Sequence, residues 1–84
     1  MAILEIDAGD LRVVAVEFSA TELVVRFADG RRLATPLIWY PRLLAASSAE
    51  RADVEISPLG LHWPALDEDL SIAGMMAGRS ARAA

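Results

Sequence analysis

The sequence predicts an α+β domain, an antiparallel β-meander with short helices packed on one face. Three observations predict it: two runs of alternating β-branched and aromatic residues, an Asp-Gly turn signal after the second run, and short helical segments that begin at proline or serine. The chain has 84 residues, of which 55% are hydrophobic. This length allows one small domain, residues 1–78, and we expect residues 79–84 to form a disordered tail.

The first two strands are predicted from alternation. In the first, residues 11–18, three apolar side chains share one face: Val14, Val16 and Phe18. The opposite face then carries Val13, Ala15 and Glu17. In the second strand, residues 22–27, the apolar face carries Leu23, Val25 and Phe27. We expect the apolar face of each strand to point into the core.

A hairpin follows the second strand, and the apolar pattern predicts its register. A two-residue Asp29-Gly30 loop would turn Leu33 away from the apolar face. A three-residue loop, residues 28–30, pairs Val25 with Leu33 instead and requires Gly30 in the left-handed region of a bulge. The same register puts two arginines on the opposite face, Arg26 and Arg32.

Two short helical turns are predicted next. Pro41 suits a first helical position, and the apolar side that follows is Leu43, Leu44 and Ala46. Ser47 and Glu50 have the spacing of a capping box, which predicts a second turn that ends near Asp53.

The last third of the sequence predicts two short strands and a helix. VEIS is one strand, and LHW extends the sheet until Pro64 ends it. Ser71 can cap the final helix and Gly78 can end it, with an apolar side made of Ile72, Met75 and Met76.

Composition excludes several function classes. The eight basic residues are all arginine, and twelve carboxylates give a net charge of −4, which argues against direct binding of nucleic acid. Zero cysteines exclude thiolate metal sites and cysteine nucleophiles. No apolar run has the length of a bilayer span, and the first ten residues lack a secretory pattern, so we expect a cytoplasmic protein that binds no membrane.

The stretch HWPALDEDLS, residues 62–71, contains the single histidine and an acidic triplet. A metal site is one interpretation, but the consecutive side chains of Asp67, Glu68 and Asp69 diverge, so at most two of them could converge with His62. The interpretation we favour is an acidic turn before the helix capped at Ser71, where negative charge is stabilising. We therefore expect no metal and no cofactor.

Candidate catalytic groups are few. The sequence has no glycine-framed serine nucleophile and no phosphate-binding glycine loop, so we assign no catalytic residue. The alternative is a small hydrolase, or a ligand- or metal-binding protein, that uses His62 with Asp67 or Asp69. A cleft around these groups would favour this alternative, and a flat surface would favour partner binding.

The segment LIWYPRL is the most aromatic part of the chain, and a Trp-Tyr-Arg cluster has the composition of a binding hot spot. Trp39 could equally cover the core beside Leu37 and Leu43. Both interpretations remain open at this stage.

Several motifs together resemble one bacterial family. They are the Asp29-Gly30 hairpin, the PL-W-PRL segment from Pro36 to Leu43, the Arg51 position, and the HWP-LDED-S stretch from His62 to Ser71. The chain is similar in these respects to domain of unknown function family 2442, over roughly residues 11–78. Val54 departs from the family, which often has an aromatic residue there.

The resemblance implies a small α+β domain and no established activity. Some members are fused to a helix-turn-helix segment, and some are encoded beside a partner suspected of toxin-antitoxin pairing. We therefore expect a non-enzymatic protein-binding or regulatory accessory module, antitoxin-like in mode, that binds a protein whose identity is unknown. We also expect a homodimer, because a chain of 84 residues with 55% hydrophobic residues has more apolar surface than one small core hides. The residues expected to bind the partner are Trp39, Tyr40, Arg42, His62, Trp63, Asp67, Glu68 and Asp69.

Overall fold

The computed structural model describes residues 12–78, so the predicted tail and the beginning of the first predicted strand lie outside the described residues. Two three-stranded antiparallel sheets and a few short helices make an α+β domain, as predicted. The first sheet has the order β1-β2-β3, with strands Val13–Phe18, Glu22–Phe27 and Arg32–Pro36. The second has the order β4-β5-β6, with strands Glu55–Ile56, Gly60–Trp63 and Glu68–Ser71. The helices are α1, Pro41–Leu44, α2, Ser48–Ala52, and α3, Ile72–Met76, with 3-10 turns at Leu37–Trp39 and Pro64–Leu66.

The hairpin between β2 and β3 has the predicted register. Val25 lies opposite Leu33, and the Phe27 amide donates to the Arg31 carbonyl at 2.9 Å. Gly30 has φ +94°, the left-handed conformation that this three-residue loop requires. Arg26 and Arg32 lie opposite each other on the outer face, where both are exposed.

The predicted facing of β1 is wrong at its beginning. The register between β1 and β2 shifts between Val13 and Ala15, because a bulge inserts one residue into the strand. Val13 therefore packs against the core with Val16 and Phe18, whereas Val14 is 59% exposed. Alternation counted back from Phe18 fails at the bulge, since one added residue reverses the direction of every earlier side chain.

The two sheets and the helices share one hydrophobic core. Its members are Leu23, Val25, Phe27, Leu37, Tyr40, Leu43, Leu61, Trp63, Leu70, Ile72 and Met75. Trp63 is fully buried and meets the Phe18 ring edge to face, with 6.3 Å between ring centroids, so an aromatic pair joins the two sheets.

The helices begin as predicted, but α1 and α3 bury a narrower apolar side than expected. Pro41 occupies the first turn of α1, and Ser47 and Glu50 form a complete capping box for α2. The Ser71 hydroxyl accepts from the Gly74 amide at 2.9 Å and caps α3. Leu43 and Met75 are buried, whereas Leu44 and Met76 remain exposed, because helices of four and five residues present little more than one turn to the core. No helix within residues 12–78 has the length and apolarity needed to span a bilayer.

The acidic triplet does not form the predicted turn before the last helix. Only Asp67 lies in the turn, in the left-handed conformation with φ 52°, and Glu68 begins β6. Strand β6 pairs with β5 because Leu70 then lies opposite Leu61, and both side chains reach the core. Gly60 allows this pairing, since a Cβ at residue 60 would overlap the Leu70 carbonyl oxygen.

Candidate interaction surface

Strand register assembles three titratable side chains across the outer face of the second sheet. His62 of β5 lies opposite Glu55 of β4 on one side and Asp69 of β6 on the other. Direct cross-strand partners point to the same face, so the three form one row. His62 Nδ1 is 2.8 Å from Asp69 Oδ1, and the side chains are 38% and 78% exposed. Asp69, and not Asp67, is therefore the carboxylate that meets the histidine.

A shallow groove of about 230 Å³ lies beside this pair. Leu59, in the turn between β4 and β5, is 82% exposed at its rim. Two serines line the groove, and both hydroxyls already have partners: Ser57 Oγ lies 3.2 Å from the Gly60 carbonyl oxygen, and Ser71 Oγ accepts the helix-capping bond. The groove therefore combines an exposed apolar side chain with a polar wall, but it holds no serine poised as a nucleophile for His62.

Arg42 connects the two stretches that the sequence analysis singled out. From the beginning of α1 its Nη1 donates to the carbonyls of Leu66 and Asp67, and it lies 3.9 Å from Glu68 Oε1. Glu68 is buried, and burial raises the pKa of its carboxyl group above the usual value. Arg42 opposes this shift and lowers the pKa, while Asp69 and Asp67 raise it further.

Three of the eight expected binding residues lie inside the protein and offer no surface to a partner. Tyr40 is fully buried, its hydroxyl is 3.0 Å from Thr35 Oγ1, and burial raises the pKa of the phenol. Trp63 is fully buried and donates its indole N–H to the Arg51 carbonyl at 3.0 Å. Glu68 is the third. Strand alternation sends Trp63 and Glu68 inward, whereas their neighbours His62 and Asp69 point outward. The sequence-based prediction missed this distinction, because it placed an acidic turn where β6 lies.

The other five expected residues reach the surface. Arg42, Asp67 and Asp69 are exposed, whereas Trp39 and His62 are half-buried. Trp39 meets Tyr40 edge to face with 6.3 Å between ring centroids, so it covers the core and still presents part of its ring. Their role in partner binding stays a prediction.

Arg51 has a structural role that the sequence analysis did not assign. Its Nε donates to the Leu43 carbonyl at 2.9 Å and its Nη2 to the Leu44 carbonyl at 3.1 Å, both at the end of α1. The guanidinium carbon also lies 5.1 Å from the centroid of the Phe18 ring. The family motif had pointed to this position, but without a contact to explain it.

Metal ligands do not converge in the described part of the chain. Among residues 12–78, no group of three or more histidine and carboxylate side chains is arranged to hold an ion. The outer row supplies one imidazole-carboxylate pair and a neighbouring carboxylate, which is fewer converging ligands than a closed site requires.

Two small antiparallel meanders around one core define an α+β domain, and a row of titratable side chains crosses the outer face of its second sheet. A family model described as "Protein of unknown function (DUF2442)" matches residues 13–81, and the chain belongs to this family. No curated protein matches the sequence.

Two solved structures are similar to this chain. One is a crystal structure of a protein of unknown function from Rhodospirillum rubrum, 32% identical, which covers 84% of this chain and 90% of its own with a TM-score of 0.69. The other is a solution NMR structure of an uncharacterized protein from Chromobacterium violaceum, 25% identical, which covers 86% of this chain and 70% of its own with a TM-score of 0.70.

Proposed function

We propose that this domain is a non-enzymatic protein-binding module, a regulatory accessory that acts in the cytoplasm by capturing a partner, as an antitoxin does. One observation carries the proposal: Leu59, 82% exposed, projects beside the His62–Asp69 pair at a shallow groove. An exposed large apolar side chain with a polar rim is the usual composition of a protein contact. We name this region the Leu59 surface: Leu59, His62 and Asp69.

Charge favours a basic partner. Glu55, Asp67 and Asp69 are exposed carboxylates at or near the Leu59 surface, and the whole chain carries a net charge of −4. Arg42, which lies near Glu68, already bonds two carbonyls at the Asp67 end of this sheet. Opposite charge speeds association and fixes orientation, so a partner with a lysine- or arginine-rich patch fits this surface best.

Affinity capture with paired variants tests the proposal. The wild-type chain is immobilised beside a surface variant, Leu59→Ser with Asp69→Asn, and a matched control, Val14→Ser with Glu17→Gln. The control removes an exposed apolar side chain and a paired carboxylate from the first sheet, far along the chain from the Leu59 surface. We expect a protein that the wild type and the control retain and the surface variant loses. Retention by all three, or by none, would refute the proposal.

One observation favours the alternative, a small hydrolase or a ligand- or metal-binding protein. The 2.8 Å contact between His62 Nδ1 and Asp69 Oδ1 is the arrangement in which a carboxylate orients a general base. Ser57 and Ser71 weigh against this alternative, because both hydroxyls of the groove are already hydrogen-bonded within the protein. Turnover of p-nitrophenyl esters or phosphates that His62→Gln abolishes would support the hydrolase alternative and refute the binding proposal.

A calorimetric titration with divalent metals tests whether the domain is a metal-binding protein. We expect weak, non-saturating heats when Zn²⁺, Mn²⁺ or Mg²⁺ is added in a calorimeter. Stoichiometric binding at micromolar affinity that a double variant, Asp67→Asn with Asp69→Asn, loses would establish a metal site.

A further inference from the structure

A second concave region lies between β1 and α2, away from the Leu59 surface. This cavity is open to solvent on one side, has a volume of about 380 Å³ and is lined by Val16, Phe18, Ser48, Arg51, Ala52 and Val54. This volume is near the lower end of pockets that hold small organic molecules. Four of the six lining side chains are apolar, so the cavity is mainly hydrophobic, with two polar side chains at its wall.

The cation of this cavity has no carboxylate partner in residues 12–78. Arg26, Arg31 and Arg42 each have a carboxylate oxygen within 4.0 Å, but Arg51 has none. Nε and Nη2 of Arg51 donate to the Leu43 and Leu44 carbonyls, which are neutral groups. Among residues 12–78 the guanidinium charge therefore lies against apolar walls without a balancing anion, and the Nη1 donors have no partner there.

The available donors select the class of anion. Arg51 Nη1 and the Ser48 hydroxyl can donate to one planar group, and no other lining side chain among residues 12–78 carries a donor. A phosphate dianion needs more donors than these to replace its water shell, whereas a carboxylate accepts two or three hydrogen bonds. The apolar lining then accommodates the carbon skeleton that carries the carboxylate.

We propose that this cavity binds a small organic carboxylate, whose acid group contacts Arg51 and Ser48 and whose apolar body packs on Phe18 and Val54. The fixed orientation of the guanidinium makes the site preorganised, since the two backbone carbonyls hold it before any ligand arrives. This site goes beyond the proposed protein-binding role and shares no residue with the Leu59 surface.

Three probes test the required chemistry. Phenylacetate carries both the acid and an apolar ring, phenylacetamide keeps the ring without the charge, and acetate keeps the charge without the ring. By two-dimensional ¹H–¹⁵N NMR titration of the full chain, we expect phenylacetate to bind at least about tenfold more tightly than either of the others, because each lacks one of the two contacts. The shifts should be largest for the backbone amides of Phe18, Ser48, Arg51 and Val54.

Two variants locate the site without removing Arg51, which also supports the fold. Val54→Trp places an indole in the cavity and should abolish phenylacetate binding, with a thermal midpoint that stays at or above that of the wild type. Ser48→Ala removes one donor and should weaken binding by about threefold to tenfold. Binding of the amide as tight as that of the acid, unchanged binding by a folded Val54→Trp variant, or no binding of phenylacetate up to about 10 mM would each overturn the proposal.

Discussion

Replacing Arg51 with alanine should cost about 3 kcal/mol in the free energy of unfolding. The part-buried bond from Nε to the Leu43 carbonyl, at 2.9 Å, has a charged donor and contributes about 2 kcal/mol. The exposed bond to Leu44 is replaced by water and contributes about 0.5 kcal/mol. Loss of the guanidinium 5.1 Å from the Phe18 ring centroid adds about 0.5 kcal/mol. For a domain of this size the sum is a large part of the total stability.

Urea unfolding followed by tryptophan fluorescence measures this effect. Trp63 is a suitable reporter, because it is buried in contact with Phe18 and donates to the Arg51 main-chain carbonyl, which the substitution keeps. With a denaturant slope of about 1 kcal/mol/M, the midpoint should fall by about 3 M. Arg32→Ala is the matched control, since Arg32 is exposed and lies opposite another arginine, and it should change stability by less than about 0.5 kcal/mol. Equal midpoints for the two variants would refute the structural role of Arg51.

Three further predictions concern other parts of the domain. Burial raises the pKa of Glu68 in the folded state above its usual value of 4.5, so the free energy of unfolding falls as the pH rises through the folded pKa and Glu68 ionises. Glu68→Gln should therefore stabilise the protein at pH 7, and chemical unfolding should show that this gain vanishes as the pH falls below 4.5. Gly30→Ala should cost about 1 kcal/mol by thermal unfolding, because φ is +94° and an added Cβ meets no atom within 4 Å, so the cost is conformational. Light scattering should give the mass of a dimer at micromolar concentration, since large apolar side chains such as Ile38 and Met76 are exposed, and a monomeric mass would contradict this.

Features that depend on a few neighbouring residues could be predicted from the sequence. The β2–β3 register followed from the need to bury Leu33 with Val25, and the capping box followed from the spacing of Ser47 and Glu50. In each case the competing arrangement would leave an apolar side chain or a helix end unsatisfied, so local chemistry was sufficient to decide.

Features that depend on packing between distant segments could not be predicted from the sequence. The bulge in β1 is set by how β1 lies on β2, and no residue type marks it, because Val13 and Val14 are identical. Strand β6 was hidden by its composition: Glu68 and Asp69 are poor strand residues, and only the pairing of Leu70 with Leu61 makes a strand favourable there. Tertiary burial therefore outweighs the intrinsic preference of the acidic triplet.

The same pairing decides what the HWPALDEDLS stretch can do. Because β5 and β6 are antiparallel neighbours, Trp63 lies opposite Glu68 and His62 opposite Asp69, and the two pairs point to opposite faces of the sheet. One pair therefore belongs to the interior, where Glu68 is buried near Arg42, and the other is available to solvent or to a partner. The residues of this sequence motif therefore form two separate sites on opposite faces of the second sheet. Substitutions at Asp69 should consequently change binding while the stability of the fold is retained, and substitutions at Glu68 should change stability and its pH dependence.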